Sequence, residues 1–234
     1  MDDAKAVNYK IKVTCGIIFA FLFIPIVEHI LLSQKASAGQ AIIISRFYGW
    51  FGLALLFAYA KWVEKTSFFV WSLKRHKFWF YPASFGALYL LALAAGIVTL
   101  APTLFGVVNN REVADQIGRI VNKNILLMGM TAITAGVVEE LVYRAYLVPR
   151  LEVIFKNKYM PVIFSALMFS ALHLGYYSWH ELLFTFLFGI VFAIHYQWYR
   201  NISILIMAHA IIDLLSFFVF GVVEAYKISH HIIK

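Results

Sequence analysis

Long unbroken apolar runs, rather than alternating apolar and polar residues, dominate this chain. A helix needs about 20 apolar residues to cross the hydrocarbon of a bilayer. Seven runs fit that requirement, roughly 11–32, 42–62, 83–106, 125–148, 160–175, 181–199 and 202–223. The pattern predicts an all-α fold, a polytopic transmembrane helical bundle of about seven spans. Residues 1–234 form a single integral membrane domain. The least marked boundary is the short connector HLGYYSWHE between the fifth and sixth runs. Pro82, Pro102, Pro149 and Pro161 fall near run ends, where a missing N–H costs least. Pro25 lies inside the first run and predicts a kink there.

Composition supports the same class. The chain of 234 residues is 62% hydrophobic and 14% charged. Soluble domains are about 45–50% apolar and about 25% charged. The net charge of +8 comes from basic residues scattered between apolar runs, which argues against nucleic-acid binding. A single cysteine, Cys15, excludes an internal disulfide and a zinc-finger spacing. No small-residue cleavage site follows the first run, so it reads as a span rather than a signal peptide.

Loop charge predicts orientation. Lys5, Lys10 and Lys12 precede or begin the first run. The second loop carries Lys61, Lys65, Lys74, Arg75 and Lys77, the fourth Arg150, Lys156 and Lys158, and the sixth Arg200. The third loop is mixed in sign, and the fifth has neither Lys nor Arg. The positive-inside rule then places the N-terminus in the cytoplasm and the C-terminus outside, in a multi-pass protein of the plasma membrane. Lys227 and Lys234 pull mildly the other way. The second loop mixes basic and aromatic residues, as a segment lying along the interface does.

Inside the runs stand nine ionisable residues of interest: Glu28, His29, Glu139, Glu140, Arg144, His173, His195, His209 and Asp213. A charged side chain at a helix centre costs about 2.5–3.5 kcal/mol on insertion scales and usually marks function. Glu28 and His29 lie near a span end and can snorkel. His195 reads as an interfacial group. The other six form a pattern. Glu140 and Arg144 are four apart, share a helix face and can pair. Glu139 points about 100° away, with no partner nearby in sequence. Phe169 and His173 are four apart, as are His209 and Asp213.

Depth tests whether these faces meet. Counting from Pro149 puts Glu139 about 15 Å deep at 1.5 Å per residue. The same count from Pro161 and Ile202 puts His173 about 18 Å, His209 about 11 Å and Asp213 about 17 Å deep. All four share one slab, nearer the cytoplasmic side. The plain alternative is a set of unrelated interhelical contacts that glue the bundle. A confined carboxylate with two imidazoles suits the activation of water. One imidazole can orient the water and the other can donate to a developing oxyanion. A metal-free scheme fits, and so does one in which Glu and His hold zinc or another divalent ion. The spacing does not choose between them. Zinc held by Glu139, His173 and His209 would leave only Glu140 as a separate base.

Other hydrolase signatures are absent. There is no serine elbow, Phe184 stands where an H-E-x-x-H pattern from His180 needs its second His, and Asp213 is the one Asp well inside a run. The stretches EELVYR (Glu139–Arg144), FSALH (Phe169–His173) and HAIID (His209–Asp213) are similar, in order, to EExxxR, FxxxH and Hxxx(N/D). The chain thereby resembles the CPBP family, the CAAX protease and bacteriocin-processing family, also called Abi. The resemblance covers about residues 125–220, a motif-bearing catalytic core. The first hundred residues match only as apolar spans.

The resemblance implies an intramembrane endopeptidase like the type II CAAX prenyl proteases, acting on a peptide or membrane-protein substrate. It implies that Glu139 and His173 activate water and that His209 and Asp213 stand at the oxyanion. Glu140 and Arg144 would be supporting. The eukaryotic prenyl proteases carry Asn at the last position, and an ionised Asp cannot donate as that amide does. The alternative of another class is a non-proteolytic immunity or scaffold protein that binds a membrane partner. A transporter using the same acids would need broken helices.

Overall fold

The computed structural model describes residues 3–32 and 37–230, with side chains for 4–23 and 37–230. The α-helices in chain order are α1 (Asp3–Leu32), α2 (Ala38–Tyr59), α3 (Phe80–Val98), α4 (Glu112–Val121), α5 (Ile125–Glu140), α6 (Val148–Ile154), α7 (Tyr159–Ala171), α8 (Trp179–Tyr199) and α9 (Ile202–Ser229). A π-helical turn, Ala60–Glu64, extends α2, and another, Leu141–Leu147, joins α5 to α6. Short 3-10 turns cover Ala101–Phe105 and Leu174–Tyr176. The described residues contain no strand. Seven helical stretches are long and apolar enough to cross a membrane, as the run pattern predicts: Ala4–Phe23, Ala38–Glu64, Phe80–Phe105, Ile125–Ile154, Tyr159–Tyr176, Trp179–Tyr199 and Ile202–Ser229. The side chains of Pro25, Glu28 and His29 lie outside the described set.

The helix starts follow local chemistry. The first backbone N–H groups of a helix have no partner within it, and a short polar side chain supplies one. Ser37 and Gln40 form a capping box at α2, and Asn124, Ser178 and Asn201 cap α5, α8 and α9. Loops on each end hold one another. Lys74 N donates to Arg200 O at 3.1 Å, and Asn201 Nδ2 to Lys74 O at 2.9 Å, tying the second loop to the sixth. Ser178 Oγ donates to Asn109 Oδ1 at 2.7 Å, tying the fifth to the third. Even and odd loops therefore lie at opposite ends. The amphipathic α4 does not span; it packs on α2, α5, α9 and the Leu174–Tyr176 turn.

Two glycines let helices approach closely. A Cβ at Gly136 would stand 2.8 Å from Ile206 O and 2.9 Å from Ala210 N, so α5 and α9 touch backbone to backbone. Gly189 lies equally close to the Ala166 backbone, joining α7 to α8. Small residues serve this purpose in membrane interfaces, where lipid is as apolar as the helices. Outward faces keep large apolar side chains such as Leu90, Ile97 and Phe218 exposed, as contact with lipid requires.

Three expectations change. The fourth run does not end at Pro149. The helix continues to Ile154, and Pro149 follows the π-helical turn. Proline inside an α-helix loses one hydrogen bond and crowds the carbonyl four residues back; a turn of wider hydrogen-bonding register before it accommodates the break. Arg150 is consequently not a loop cation. It is fully buried, with Nη2 at 2.5 Å from Glu64 Oε2 and Nε at 2.9 Å from the same oxygen. It also donates to the carbonyl oxygens of Phe68, Tyr146 and Ser67. His195 is not interfacial either. It is buried, and its Nε2 lies 3.1 Å from Ser84 Oγ, linking α8 to α3.

Candidate active site

Close packing of α5 on α9 brings the first and third motifs together. Glu140 Oε1 is the pivot. It lies 2.9 Å from Arg144 Nη1 on its own helical stretch and 2.7 Å from His209 Nδ1 on α9. A carboxylate only accepts, so Nδ1 of His209 carries the proton it shares with Glu140. Glu140 and Arg144 are both fully buried, as the i,i+4 spacing predicts. The Arg144 guanidinium makes an ion pair without a hydrogen bond to any described residue, and it lies over the Phe169 ring, 4.4 Å from the centroid. Phe169, the first residue of the second motif, thus packs on the first motif's arginine. Its ring also stands 6.1 Å from the His209 ring.

The remaining nitrogen of His209 faces the open side of this cluster. Nε2 lies 3.8 Å from Glu139 Oε2 and 3.7 Å from Asp213 Oδ2. Glu139 and Asp213 therefore flank one imidazole from two helices. Both acids are partly exposed, at 16% and 29%, whereas Glu140 is sealed. That difference separates a group that can meet a ligand from one that supports the cluster.

His173 follows the last turn of α7, at the end of the short helix. Its Nδ1 lies 3.2 Å from Phe169 O. A carbonyl only accepts, so Nδ1 carries the proton and Nε2 is left as an acceptor when the ring is neutral. The His173 ring stands 5.3 Å from the Phe169 ring, which in turn stands 6.1 Å from that of His209. Glu139, Glu140, Arg144, His209 and Asp213 are thus joined by contacts within 4 Å, and Phe169 links them to His173. Glu139 stands halfway along the stretch Ile125–Ile154.

Two residues outside the motifs join them. Arg46 of α2 places Nη1 3.9 Å from Glu139 Oε1. Glu139 is therefore not without a partner; its partner lies 93 residues earlier. Tyr176, in the 3-10 turn after His173, holds its ring 5.6 Å from that imidazole, tilted by 34°. The sequence signal for Arg46 was a lone cation in the apolar run AIIISRFYGW. Among the described residues, no three His, Cys, Asp or Glu side chains converge in an arrangement that would hold a metal ion.

This is a multi-pass helical membrane protein with an acid and imidazole centre buried in its bundle. Residues 121–215 match the family model described as Type II CAAX prenyl endopeptidase Rce1-like, and the matched segment contains all three motifs. The family resemblance drawn from those motifs is borne out over that segment. No curated protein and no solved structure matches the chain.

Proposed function

We propose that this protein is an intramembrane endopeptidase in which Glu139 is the general base. The observation that carries this reading is the placement of Glu139. It is a partly exposed carboxylate between a cation, Arg46, and the site-facing nitrogen of His209. A water held by Glu139 and by Nε2 of His173 attacks the peptide carbonyl carbon. Glu139 takes the water proton as the C–O bond forms, and the carbonyl π electrons move onto oxygen. Collapse of the tetrahedral intermediate breaks the C–N bond, and the proton held by Glu139 passes to the leaving amine. His209 donates from Nε2 to the oxyanion when both ring nitrogens are protonated. Asp213, 3.7 Å from that nitrogen, orients it and brings no donor of its own while ionised.

The substrate class is read from the family resemblance: a peptide ending in a prenylated cysteine motif. A quenched-fluorescent farnesylated CaaX peptide, with its unprenylated twin, tests it on purified protein in detergent. Cleavage of the first and not of the second is expected. If neither this pair nor a panel of single-span membrane peptides is cut, the peptidase reading fails.

The same assay addresses metal. Glu140 is engaged with Arg144 and with His209 Nδ1, so zinc held by Glu139, His173 and His209 would leave no free carboxylate as a separate base. We therefore place the reaction on bare water. Dialysis against a chelator should leave most activity, and elemental analysis should find well under one zinc per chain. Stoichiometric zinc, with activity lost on its removal and restored on its return, would overturn this.

We also propose that the N-terminus is cytoplasmic, with the even loops on that side. Without Arg150, the cations of these loops still include Lys65, Lys74, Arg75, Lys77, Lys156, Lys158 and Arg200. In a Cys15→Ser background, a cysteine at exposed Ser72 should be labelled only after the cytoplasmic side is opened, and one at exposed Trp179 from outside. Ser178 itself is buried and unsuited to labelling. Reversed labelling would invert the topology.

A further inference from the structure

We infer that Arg46 is a further catalytic residue, donating a hydrogen bond to the oxyanion of the tetrahedral intermediate. The inference rests on the proposed peptidase reading and adds a residue from α2, which the family match at 121–215 does not include.

The site is short of oxyanion donors. His209 commits Nδ1–H to Glu140, and its Nε2 faces two carboxylates at 3.8 and 3.7 Å. Asp213 accepts only, while ionised. Arg144 is sealed behind Phe169 and fully buried. Arg46 differs from it in each respect. Its side chain is 25% exposed, so it borders open space. Of its five N–H donors, one makes a hydrogen bond to a described residue, Nε to Ser45 Oγ at 3.4 Å. Nη1 approaches Glu139 Oε1 to 3.9 Å, beyond hydrogen-bonding range. The remaining donors are therefore available beside the proposed base, where a carbonyl one water away from Glu139 would sit. A guanidinium is a permanent cation with a rigid fork of donors. In a confined, poorly hydrated site such a donor acts more strongly on developing negative charge than in water. A stable carboxylate of a substrate would be a poorer occupant, because Glu139 and Asp213 already face this space. A charge that appears only in the transition state meets Arg46 when it forms.

The test compares Arg46→Gln and Arg46→Lys with wild type on the peptide that wild type cleaves, with melting temperature as a control. Loss of one oxyanion donor lowers kcat about 100- to 1000-fold. Arg46→Gln should show such a loss with KM little changed, at every pH of the profile and at an unaltered melting temperature. Arg46→Lys should recover part of it, since lysine keeps the charge and loses the fork. A kcat within about threefold of wild type would overturn the assignment. So would a rise in KM alone, which would mark a ground-state anchor. A loss confined to low pH would mean that Arg46 acts through Glu139, and a parallel fall in melting temperature would mean a structural role; either sinks the proposal. Wild-type protein that cleaves nothing would bring down the peptidase reading first, and this inference with it.

Discussion

Glu139→Gln abolishes peptide cleavage by the purified protein, and His173→Ala does the same, while both variants are expressed, extracted and melt near wild type. A positioned general base contributes about 100- to 10,000-fold, so residual activity should be at most about one per cent. The substituted amide would keep the size and hydrogen-bonding reach of the Glu139 side chain, but it cannot take a proton from water. Folding should survive because Glu139 is partly exposed and makes no close hydrogen bond; its neighbours lie 3.8 and 3.9 Å away. The corresponding change at Glu140 would not be so clean. That residue holds both Arg144 and His209, and Glu140→Gln would lose structure and activity together. If Glu139→Gln keeps more than a few per cent of wild-type turnover, Glu139 is not the base, and Asp213 or His173 would have to take the role.

The sequence carried the site and the spans unevenly. Run length located all seven spans, because the thickness of a bilayer sets one length for every helix that crosses it. Helical spacing paired Glu140 with Arg144, because both sit on one stretch and the distance between them is local. Arg46 was not paired with Glu139, since that contact depends on how α2 is rotated against α5. Nothing in either apolar run records that rotation. Arg150 reads as a loop cation in the sequence because Pro149 looks like a stop. The π-helical turn that carries the helix past this proline has no simple residue signature. His195 shows the converse: its position near a helix end suggested an interface, and its partner Ser84, on α3, lies 111 residues away.

Arg150→Met should be the most destabilising single substitution outside the active site. Both charges of the Glu64–Arg150 pair are fully buried. The guanidinium meets the carboxylate through Nε and Nη2, the two-pronged geometry that makes arginine pairs strong. Tyr146 donates its hydroxyl to Glu64 Oε1 at 2.8 Å and lays its ring under the guanidinium, 3.7 Å from the centroid. Removing the cation leaves Glu64 as an uncompensated charge in the interior, which costs about 3–5 kcal/mol. The pair joins the end of α2 to α6, so the damage falls on the junction between the first spans and the motif-bearing core. Replacing both partners removes both desolvation penalties, and such double changes are often near neutral. The double variant Glu64→Gln, Arg150→Met should therefore recover most of the stability lost by Arg150→Met, as read from unfolding in detergent. Turnover per folded molecule should stay near wild type in both, because Arg150 is about 9 Å along the helix from Arg144 at 1.5 Å per residue. If Arg150→Met melts like wild type, the pair is dispensable. If instead the double variant is no more stable than the single one, the cost lies in the hydrogen bonds to Ser67, Phe68 and Tyr146, and not in the unpaired carboxylate.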